Sequence, residues 1–204
     1  MYKTQQESFW AGEFGDRYVE RNDGARRVAS NTALFARVLR STSNVTSITE
    51  LGCNIGLNLI ALHALLPECV LRAHEINQLA AERASSLGIA DITAGTILNP
   101  IDAKDSCDLA FTKGVLIHIN PDELPQVYDN LYRLSRKYIL VCEYYNPVPV
   151  SIAYRGHQDR LFKRDFAGEM MEKYDLELVD YGFSYRRDPL FPQDDATWFL
   201  MLKR

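Results

Sequence analysis

The sequence predicts an α/β fold, with a doubly wound, mostly parallel seven-stranded sheet and an antiparallel last strand. Apolar runs with strand character alternate with segments whose apolar residues recur at helical spacing. This alternation is typical of βαβ units, which place their strands in parallel. The last two strand-like runs, 176–185 and 197–203, have no helical pattern between them. We therefore expect these two strands to pair antiparallel.

Punctuating residues help to place the elements along the chain. The first strand, 45–51, runs into a loop with two glycines, and Pro67 stops the helix predicted over 58–66. Asn77 is placed to cap a helix over 77–87, and Gly88 follows the end of that helix. The other predicted strands are 69–75, 91–97, 108–112, 138–144, 176–185 and 197–203, and the other helices are 28–40, 122–134 and 164–173.

Composition narrows the class of protein. The chain has 204 residues, enough for a single domain, 1–204, with a full core. Its net charge of −4 lacks the basic surplus of a typical nucleic-acid binder, so we expect no nucleic-acid partner. The longest apolar run, 59–66, is far shorter than the roughly 20 residues of a membrane span. The first residues lack an apolar signal segment, so we expect a cytoplasmic protein without a membrane partner.

The cysteines favour neither a metal site nor a disulfide framework. Cys53, Cys69, Cys107 and Cys142 form no CxxC pair, and three of them fall in strand-like surroundings. We expect reduced thiols and no bound metal.

The stretch ITELGCNIGLN, residues 48–58, decides between ligand classes. A dinucleotide-binding loop requires G-x-G-x-x-G after the first strand. Counted from Gly52, the second and third glycine positions hold Asn54 and Leu57. The pattern therefore fails where the backbone would approach a pyrophosphate, and the G-K-[ST] of a P-loop is also missing.

A different pattern fits: an acid, then Gly, then Gly or Asn, then Gly, at alternate positions. Here these residues are Glu50, Gly52, Asn54 and Gly56, and asparagine tolerates a positive φ better than most residues. The stretch resembles the first-strand motif of class I S-adenosylmethionine-dependent methyltransferases, which have a Rossmann-like fold. Glu75 ends the second strand 19 residues after Gly56, where a carboxylate can accept both ribose hydroxyl protons.

The resemblance extends over nearly the whole chain. It is carried by DLAFTKGVLIHINPDEL, YILVCEYYNP, YRGHQDRLFKRDFAGE, DYGFSYRRDPLFPQDDATWF and the N-terminal FWAGEFGDRY. These strings are similar to the pseudaminic acid biosynthesis-associated methylase family. This resemblance implies transfer of a methyl group from S-adenosylmethionine to a small polar acceptor. A sugar or sugar-acid intermediate of surface-glycan biosynthesis is the acceptor that we expect.

The resemblance also implies roles for individual residues toward the cofactor. The N-terminal segment 1–27 would close as a lid, although its aromatic residues could equally serve as an anchor for the terminus. Glu75 would hold the ribose, and Thr96 stands where many relatives place an aspartate toward the adenine. The implied cofactor-binding residues are Trp10, Tyr18, Gly52, Cys53, Asn54, Gly56, Asn58, Glu75, Ile76, Thr96, Ile97, Lys113, Gly114 and Val115.

Two histidines are candidates for a general base. His118 follows the fourth strand, and His157 lies among polar and aromatic residues in an insertion at 147–165 on the acceptor side. Both also fit purely structural roles. Methyl transfer does not always need a base, because the main requirement is the placement of a nucleophile about 3 Å from the methyl carbon.

The acceptor site is predicted from the end of the fifth strand and from the insertion. Guanidinium groups bind carboxylates and phosphates in a bidentate manner, although a solvated helix start would also explain this basic cluster. The candidate substrate-binding residues are Tyr144, Tyr145, Asn146, Tyr154, Arg155, Arg160 and Asp195.

Three other functions stay open at this stage. The chain could methylate another small metabolite or a protein side chain, because these enzymes differ chiefly in the acceptor pocket. It could also be a catalytically silent module that only binds S-adenosylmethionine. A nicotinamide oxidoreductase is disfavoured by the missing glycines. The sequence does not predict an oligomeric state.

Overall fold

The computed structural model describes residues 2–21, 24–102, 104 and 106–204. Three helices precede the sheet: α1 (Gln5–Ala11), α2 (Glu13–Arg21) and α3 (Ala25–Leu39). Sequence patterning predicted the third helix and missed the first two, which are short. Thr4 caps α1, because its side chain accepts a hydrogen bond from the backbone N–H of Glu7 at 3.1 Å.

The remaining elements alternate as predicted as far as the fifth strand. They are β1 (Ser47–Leu51), α4 (Leu57–Leu65), β2 (Val70–Glu75), α5 (Gln78–Ser86), β3 (Asp91–Ala94), β4 (Cys107–Lys113), α6 (Leu124–Leu134), β5 (Ser135–Glu143), β6 (Val150–Tyr154), β7 (His157–Lys163), α7 (Phe166–Lys173), β8 (Leu176–Ser184) and β9 (Ala196–Lys203).

The described residues form a seven-stranded sheet in the order β3-β2-β1-β4-β5-β9-β8. The first five strands pair in parallel, and β9 runs antiparallel to both β5 and β8. The predicted fold class is therefore confirmed. The chain moves outward from β1 to β3 and then crosses back to β4, so β1 and β4 flank the point where the strand order reverses. Ligands bind outside the carboxyl ends of the strands at such a point.

A hydrophobic core lies on each face of the sheet. On one face Phe35 of α3 packs edge-on against Phe111 of β4, with ring centroids 5.4 Å apart. On the other face Leu131 and Met170 are buried with Ile139 of β5. All residues of β1 are buried. The glycine loop therefore starts from a strand that is fixed on both sides.

The insertion predicted at 147–165 contains a hairpin that sequence patterning did not predict. Strands β6 and β7 pair antiparallel outside the main sheet, with Tyr154 opposite His157. Arg155 and Gly156 form the turn, with φ values of 49° and 85°. Positive φ at both central residues is the geometry of a two-residue hairpin turn.

Among the described residues, no helix combines the length and the apolar character that crossing a membrane requires.

Candidate functional site

Two cavities open over the carboxyl ends of the strands, in the part of the chain that the structure describes. The smaller has a volume of about 180 Å³ and the larger about 470 Å³. Their walls share Tyr18, Gly52, Asn54, Lys113, Gly114 and His118. The cavities therefore meet at the loops that follow β1 and β4.

The glycine loop after β1 has the backbone that its sequence predicts. Gly52, Asn54 and Gly56 have φ values of 84°, 50° and 82°, so Asn54 adopts the left-handed conformation expected of it. Space also requires glycine: a Cβ at Gly52 would lie 2.6 Å from Cγ2 of Val115, and one at Gly56 would lie 2.8 Å from Cδ1 of Leu87. The loop is therefore packed tightly against its neighbours.

Glu75 links the glycine loop to the start of α5. Its Oε2 accepts the backbone N–H of Asn54 at 2.6 Å, and its Oε1 accepts that of Asn77 at 2.8 Å. Burial raises the pKa of this carboxyl, while the two hydrogen bonds oppose the rise. Each carboxylate oxygen still has a second lone pair that can accept a ligand hydroxyl.

Buried Glu50 and half-buried Asn58 form a hydrogen-bonded pair beneath the same loop. Glu50 is 0% exposed, and its Oε1 accepts a hydrogen bond from Nδ2 of Asn58 at 2.6 Å. Oε2 of Glu50 and Oδ1 of Asn58 are buried and have no hydrogen-bond partner among the described residues. Burial raises the pKa of Glu50 to about 8.

Glu143, at the end of β5, organises the loop after β4. Its carboxylate accepts the backbone N–H groups of Val115, Leu116 and Ile117 at 3.0, 3.1 and 3.4 Å. Burial raises its pKa to about 7 against the effect of these bonds. Our sequence reasoning missed this residue, although an acid at the end of a buried strand was a usable signal.

His118 lies in the loop that Glu143 holds and lines both cavities. Its Nδ1 is 2.6 Å from the carbonyl oxygen of Arg160, so this nitrogen carries the proton and donates it. Burial lowers the pKa of the ring to about 4. The neutral imidazole therefore keeps Nε2 as a hydrogen-bond acceptor.

The N-terminal helices form a wall of the smaller cavity. The Trp10 ring packs against Tyr18 and His118, with centroids 5.3 and 4.5 Å away. The indole N–H of Trp10 is buried and lacks a partner within the described part of the chain. His157 contacts Phe9 on the outside of this aromatic cluster, is exposed, and lines neither cavity.

Polar contacts fasten this wall to the sheet. Nδ2 of Asn77 donates to the backbone oxygen of Trp10 at 3.2 Å and to Oδ1 of Asp16 at 2.8 Å. The hydroxyl of Thr96 donates to the carboxylate of Glu7. Thr96 therefore lines the smaller cavity with its hydroxyl already engaged by α1.

Most residues predicted to bind the cofactor come together. Cys53 and Asn58 line the larger cavity, whereas Gly56 lines neither. Tyr18, Gly52, Asn54, Lys113 and Gly114 line both cavities. The residues that line the smaller cavity alone are Trp10, Glu75, Ile76, Thr96, Ile97 and Val115.

The residues predicted to bind the acceptor divide into two groups. Tyr144, Tyr154 and Arg155 line the larger cavity. The others lie outside both cavities and have contacts elsewhere: Tyr145 with Phe199, Asn146 with Val148, Arg160 with Gln5, and Asp195 with Arg186.

The larger cavity also contains residues that sequence reasoning did not select. Arg27 comes from α3, and Arg186 and Gln193 come from the connection between β8 and β9. Asp194, rather than Asp195, lines this cavity. No spacing or motif marks these positions, because the fold brings them together from distant parts of the chain.

Comparison with solved structures finds methyltransferases. The chain is similar to the magnesium protoporphyrin IX methyltransferase ChlM from Synechocystis PCC 6803 with bound S-adenosylhomocysteine (13% identity, 100% of both chains, TM-score 0.70). It is also similar to the plantazolicin methyltransferase BpumL in complex with S-adenosylhomocysteine (14% identity, 98% of this chain and 94% of that one, TM-score 0.66). A third is the mitomycin 7-O-methyltransferase MmcR (14% identity, 98% of this chain and 61% of that one, TM-score 0.68).

These similarities show a class I methyltransferase fold. No protein-family model matches the chain, and no curated protein matches it. The narrower resemblance to the pseudaminic acid biosynthesis-associated methylase family is therefore not confirmed.

Proposed function

We propose that the protein is an S-adenosylmethionine-dependent methyltransferase that acts on a small polar acceptor. The observation that carries this proposal is the meeting of two cavities at the loops after β1 and β4. A displacement at carbon needs the donor and the nucleophile to approach one point from opposite sides. A cofactor in the smaller cavity and an acceptor in the larger one would meet in that way.

The walls of the smaller cavity fit a nucleoside without phosphates. The free lone pairs of Glu75 would accept the ribose hydroxyl protons, and Ile76 and Ile97 would face the adenine. Trp10 brings to the same wall a buried N–H that has no partner among the described residues. The described part of segment 1–27 would act as a lid, since α1 and α2 cover this cavity and are fastened at Asn77. Residues 1, 22 and 23 of this segment lie outside the described residues.

The chain's own residues supply the remaining chemistry. S-adenosylmethionine supplies an electrophilic methyl group on a positively charged sulfur, which takes the electron pair of the broken S–C bond. His118 would accept the proton of an acceptor hydroxyl at Nε2, while its Nδ1–H stays bonded to the Arg160 carbonyl. His157 lines neither cavity, so we assign the base to His118 alone.

The composition of the larger cavity favours an acidic acceptor. Arg27, Lys113, Arg155 and Arg186 line it, together with Asp194. One cation would neutralise the methionine carboxylate, and the others remain for an anionic group on the acceptor. A sugar acid carries such an anionic group, and the family that the sequence resembles is associated with the biosynthesis of a surface sugar acid. These two points together favour a sugar acid of surface-glycan biosynthesis as the acceptor.

Cofactor binding and methyl transfer can be tested one after the other. Calorimetry with S-adenosylmethionine should give saturable heat, and NADH should give none. The protein should then be incubated with methyl-labelled cofactor and small acidic sugars, with mass spectrometry to detect a gain of one CH₂. Lack of cofactor binding would refute the proposal. Binding without transfer to any acceptor class would favour a silent binding module.

A further inference from the structure

The hydrogen-bonded pair of Glu50 and Asn58 has an arrangement that an ionised carboxylate does not explain. One hydrogen bond joins Nδ2 of Asn58 to Oε1 of Glu50 at 2.6 Å. The second oxygen of each group is buried and unpartnered among the described residues. Both of these oxygens are acceptors, so they cannot bond to each other without a proton. A proton on Oε2 of Glu50 could be donated to Oδ1 of Asn58.

We propose that Glu50 is protonated and paired with Asn58 in the empty protein, and that it releases this proton when a ligand with a positively charged sulfur binds. This inference rests on the proposed function. It makes Glu50 the residue that distinguishes the sulfonium cofactor from its neutral thioether product. The proton passes to solvent, so a neutral acid and a cation become a carboxylate and a cation plus one free proton.

The surroundings of Glu50 favour the neutral form in the empty protein. Its neighbours in the sheet, Ala73 of β2 and Phe111 of β4, are apolar. Burial is the largest influence on the pKa of Glu50 and raises it to about 8. Glu75 raises this pKa further, whereas the Asn58 bond and the charge of Lys113 lower it.

Two other groups near Glu50, Lys113 and Cys53, do not provide a positive charge that pairs with its carboxylate. Among the described residues, Lys113 forms no ion pair with Glu50. Burial raises the pKa of the neighbouring Cys53 thiol, which therefore stays neutral. A cation in the junction would be the missing opposite charge, and an opposite charge within about 4–6 Å strongly favours an ionised carboxylate.

Asn58 connects Glu50 to the ligand site. It lines the larger cavity, as do Gly52 and Cys53 of the glycine loop, and it bonds directly to Glu50. S-adenosylhomocysteine fills the same space without a charge on sulfur and should leave the proton in place.

Calorimetry can count the proton. Titrations of S-adenosylmethionine at pH 7 in phosphate and in Tris differ in heat by the protons released, because these buffers have different ionisation enthalpies. We expect release of about one proton on binding S-adenosylmethionine, since a group with a pKa near 8 is mostly protonated at pH 7. We expect close to none on binding S-adenosylhomocysteine.

Glu50→Gln provides a sharp comparison because glutamine reproduces the protonated state. Its amide oxygen can accept from Nδ2 of Asn58, as Glu50 does, and its amide nitrogen can donate to Oδ1 of Asn58. The variant should bind S-adenosylhomocysteine with unchanged affinity and should bind S-adenosylmethionine at least about tenfold more weakly than the wild type. The Glu50-linked proton release should disappear, and any release that persists comes from the ligand's amine. Glu68→Gln, the same substitution at an exposed position, is the matched control.

A measurement without ligand checks the same idea. The pKa of about 8 in the folded protein lies above the usual glutamate value of 4.5, so wild-type stability should fall as pH rises from 4.5 through 8. Glu50→Gln should therefore melt closest to the wild type at pH 4 and at a higher temperature than the wild type at pH 9.

The outcomes separate the two proposals. If neither ligand binds, the proposed function fails, and this inference fails with it. If S-adenosylmethionine binds with equal heat in both buffers, and Glu50→Gln keeps its affinity, the proton-release inference fails alone. A melting difference between Glu50→Gln and wild type that does not change with pH would also overturn it.

Discussion

The two cavities are built in different ways. The smaller one is walled by the ends of β1, β2 and β4 and their loops, and two carboxylates, Glu75 and Glu143, hold these loops by their backbone N–H groups. The larger one is walled in part by α3, by the β6–β7 hairpin and by the β8–β9 connection. The sheet therefore fixes the loops of the first cavity, which α1 and α2 cover, whereas peripheral segments determine the shape and charge of the second.

His118 lies where the two cavities meet, and its replacement should have the largest effect. His118→Asn keeps a donor for the Arg160 carbonyl and removes the acceptor Nε2. We expect kcat to fall by about 10²- to 10⁴-fold, the usual contribution of a general base, with a nearly unchanged cofactor Kd. Single-turnover rates and calorimetric titrations measure the two quantities separately.

The pH profile gives a further check on His118. Burial lowers its pKa to about 4, so the imidazole ring is already neutral above pH 5. The wild-type kcat should not fall on acidification from pH 8 to pH 6 through titration of this ring. A His118→Asn variant with wild-type kcat would remove His118 from the chemistry.

Glu75→Gln should affect the smaller cavity alone. A glutamine amide would direct a donor toward the backbone N–H of Asn54 or Asn77, and the ribose would lose a charged acceptor. We expect cofactor binding to weaken by about 1.5–3 kcal/mol, which is the range for hydrogen bonds to a charged group. The acceptor KM should change little. Glu172→Gln on the exposed side of α7 is the control, and an unchanged cofactor Kd would contradict the ribose assignment.

The difference between the two cavities also explains which site residues could be predicted from the sequence. The glycine loop was predictable because the requirement for positive φ is local and leaves a spacing of Gly52, Asn54 and Gly56 in the chain. Glu75 was predictable because it ends an apolar strand. Arg27 and Arg186 were not, because they meet only after α3 and the β8–β9 connection reach the same cavity. Arg155 was predicted together with Arg160, but the hairpin places their side chains differently.

Gly15→Ala should loosen the wall that covers the smaller cavity. An added Cβ would overlap the backbone oxygen of Trp10 and lie 2.7 Å from Nδ2 of Asn77. Since Asn77 fastens α2 to the sheet, the helix would have to move. We expect a cost of about 1–2 kcal/mol in cofactor binding, typical of overpacking. Gly12→Ala is the matched control, because its Cβ would lie 3.0 Å from the backbone oxygen of Ser8.

If Gly15→Ala and Gly12→Ala bound the cofactor equally well, the N-terminal helices would not be a functional wall. The unfolding temperature distinguishes a local displacement from general destabilisation. We expect Gly15→Ala to lower it by only a few degrees, and cofactor affinity to account for most of the effect.

Replacing Arg155 or Arg160 should have the smallest effects, but the comparison of the two variants is the most specific test of the hairpin. Arg155 lines the larger cavity, and its guanidinium lies 5.6 Å from the centre of the Tyr154 ring. Arg160 instead donates to the Gln5 side chain at 3.3 Å and lies 5.3 Å from the centre of the Phe9 ring. The two residues are five apart in one hairpin, yet one faces the larger cavity and the other holds the N-terminal wall.

Arg155→Gln should therefore raise the acceptor KM by about two- to fivefold, the range for an exposed ion pair, and should leave the cofactor Kd unchanged. Arg160→Gln should leave the acceptor KM unchanged and slightly weaken the cofactor, because it loosens α1. Steady-state kinetics with each substrate varied in turn will measure both. An equal rise of the acceptor KM in the two variants would show that the hairpin acts through folding, since their side chains share no cavity. A rise confined to Arg155→Gln would instead assign the anionic end of the acceptor to the hairpin side of the larger cavity.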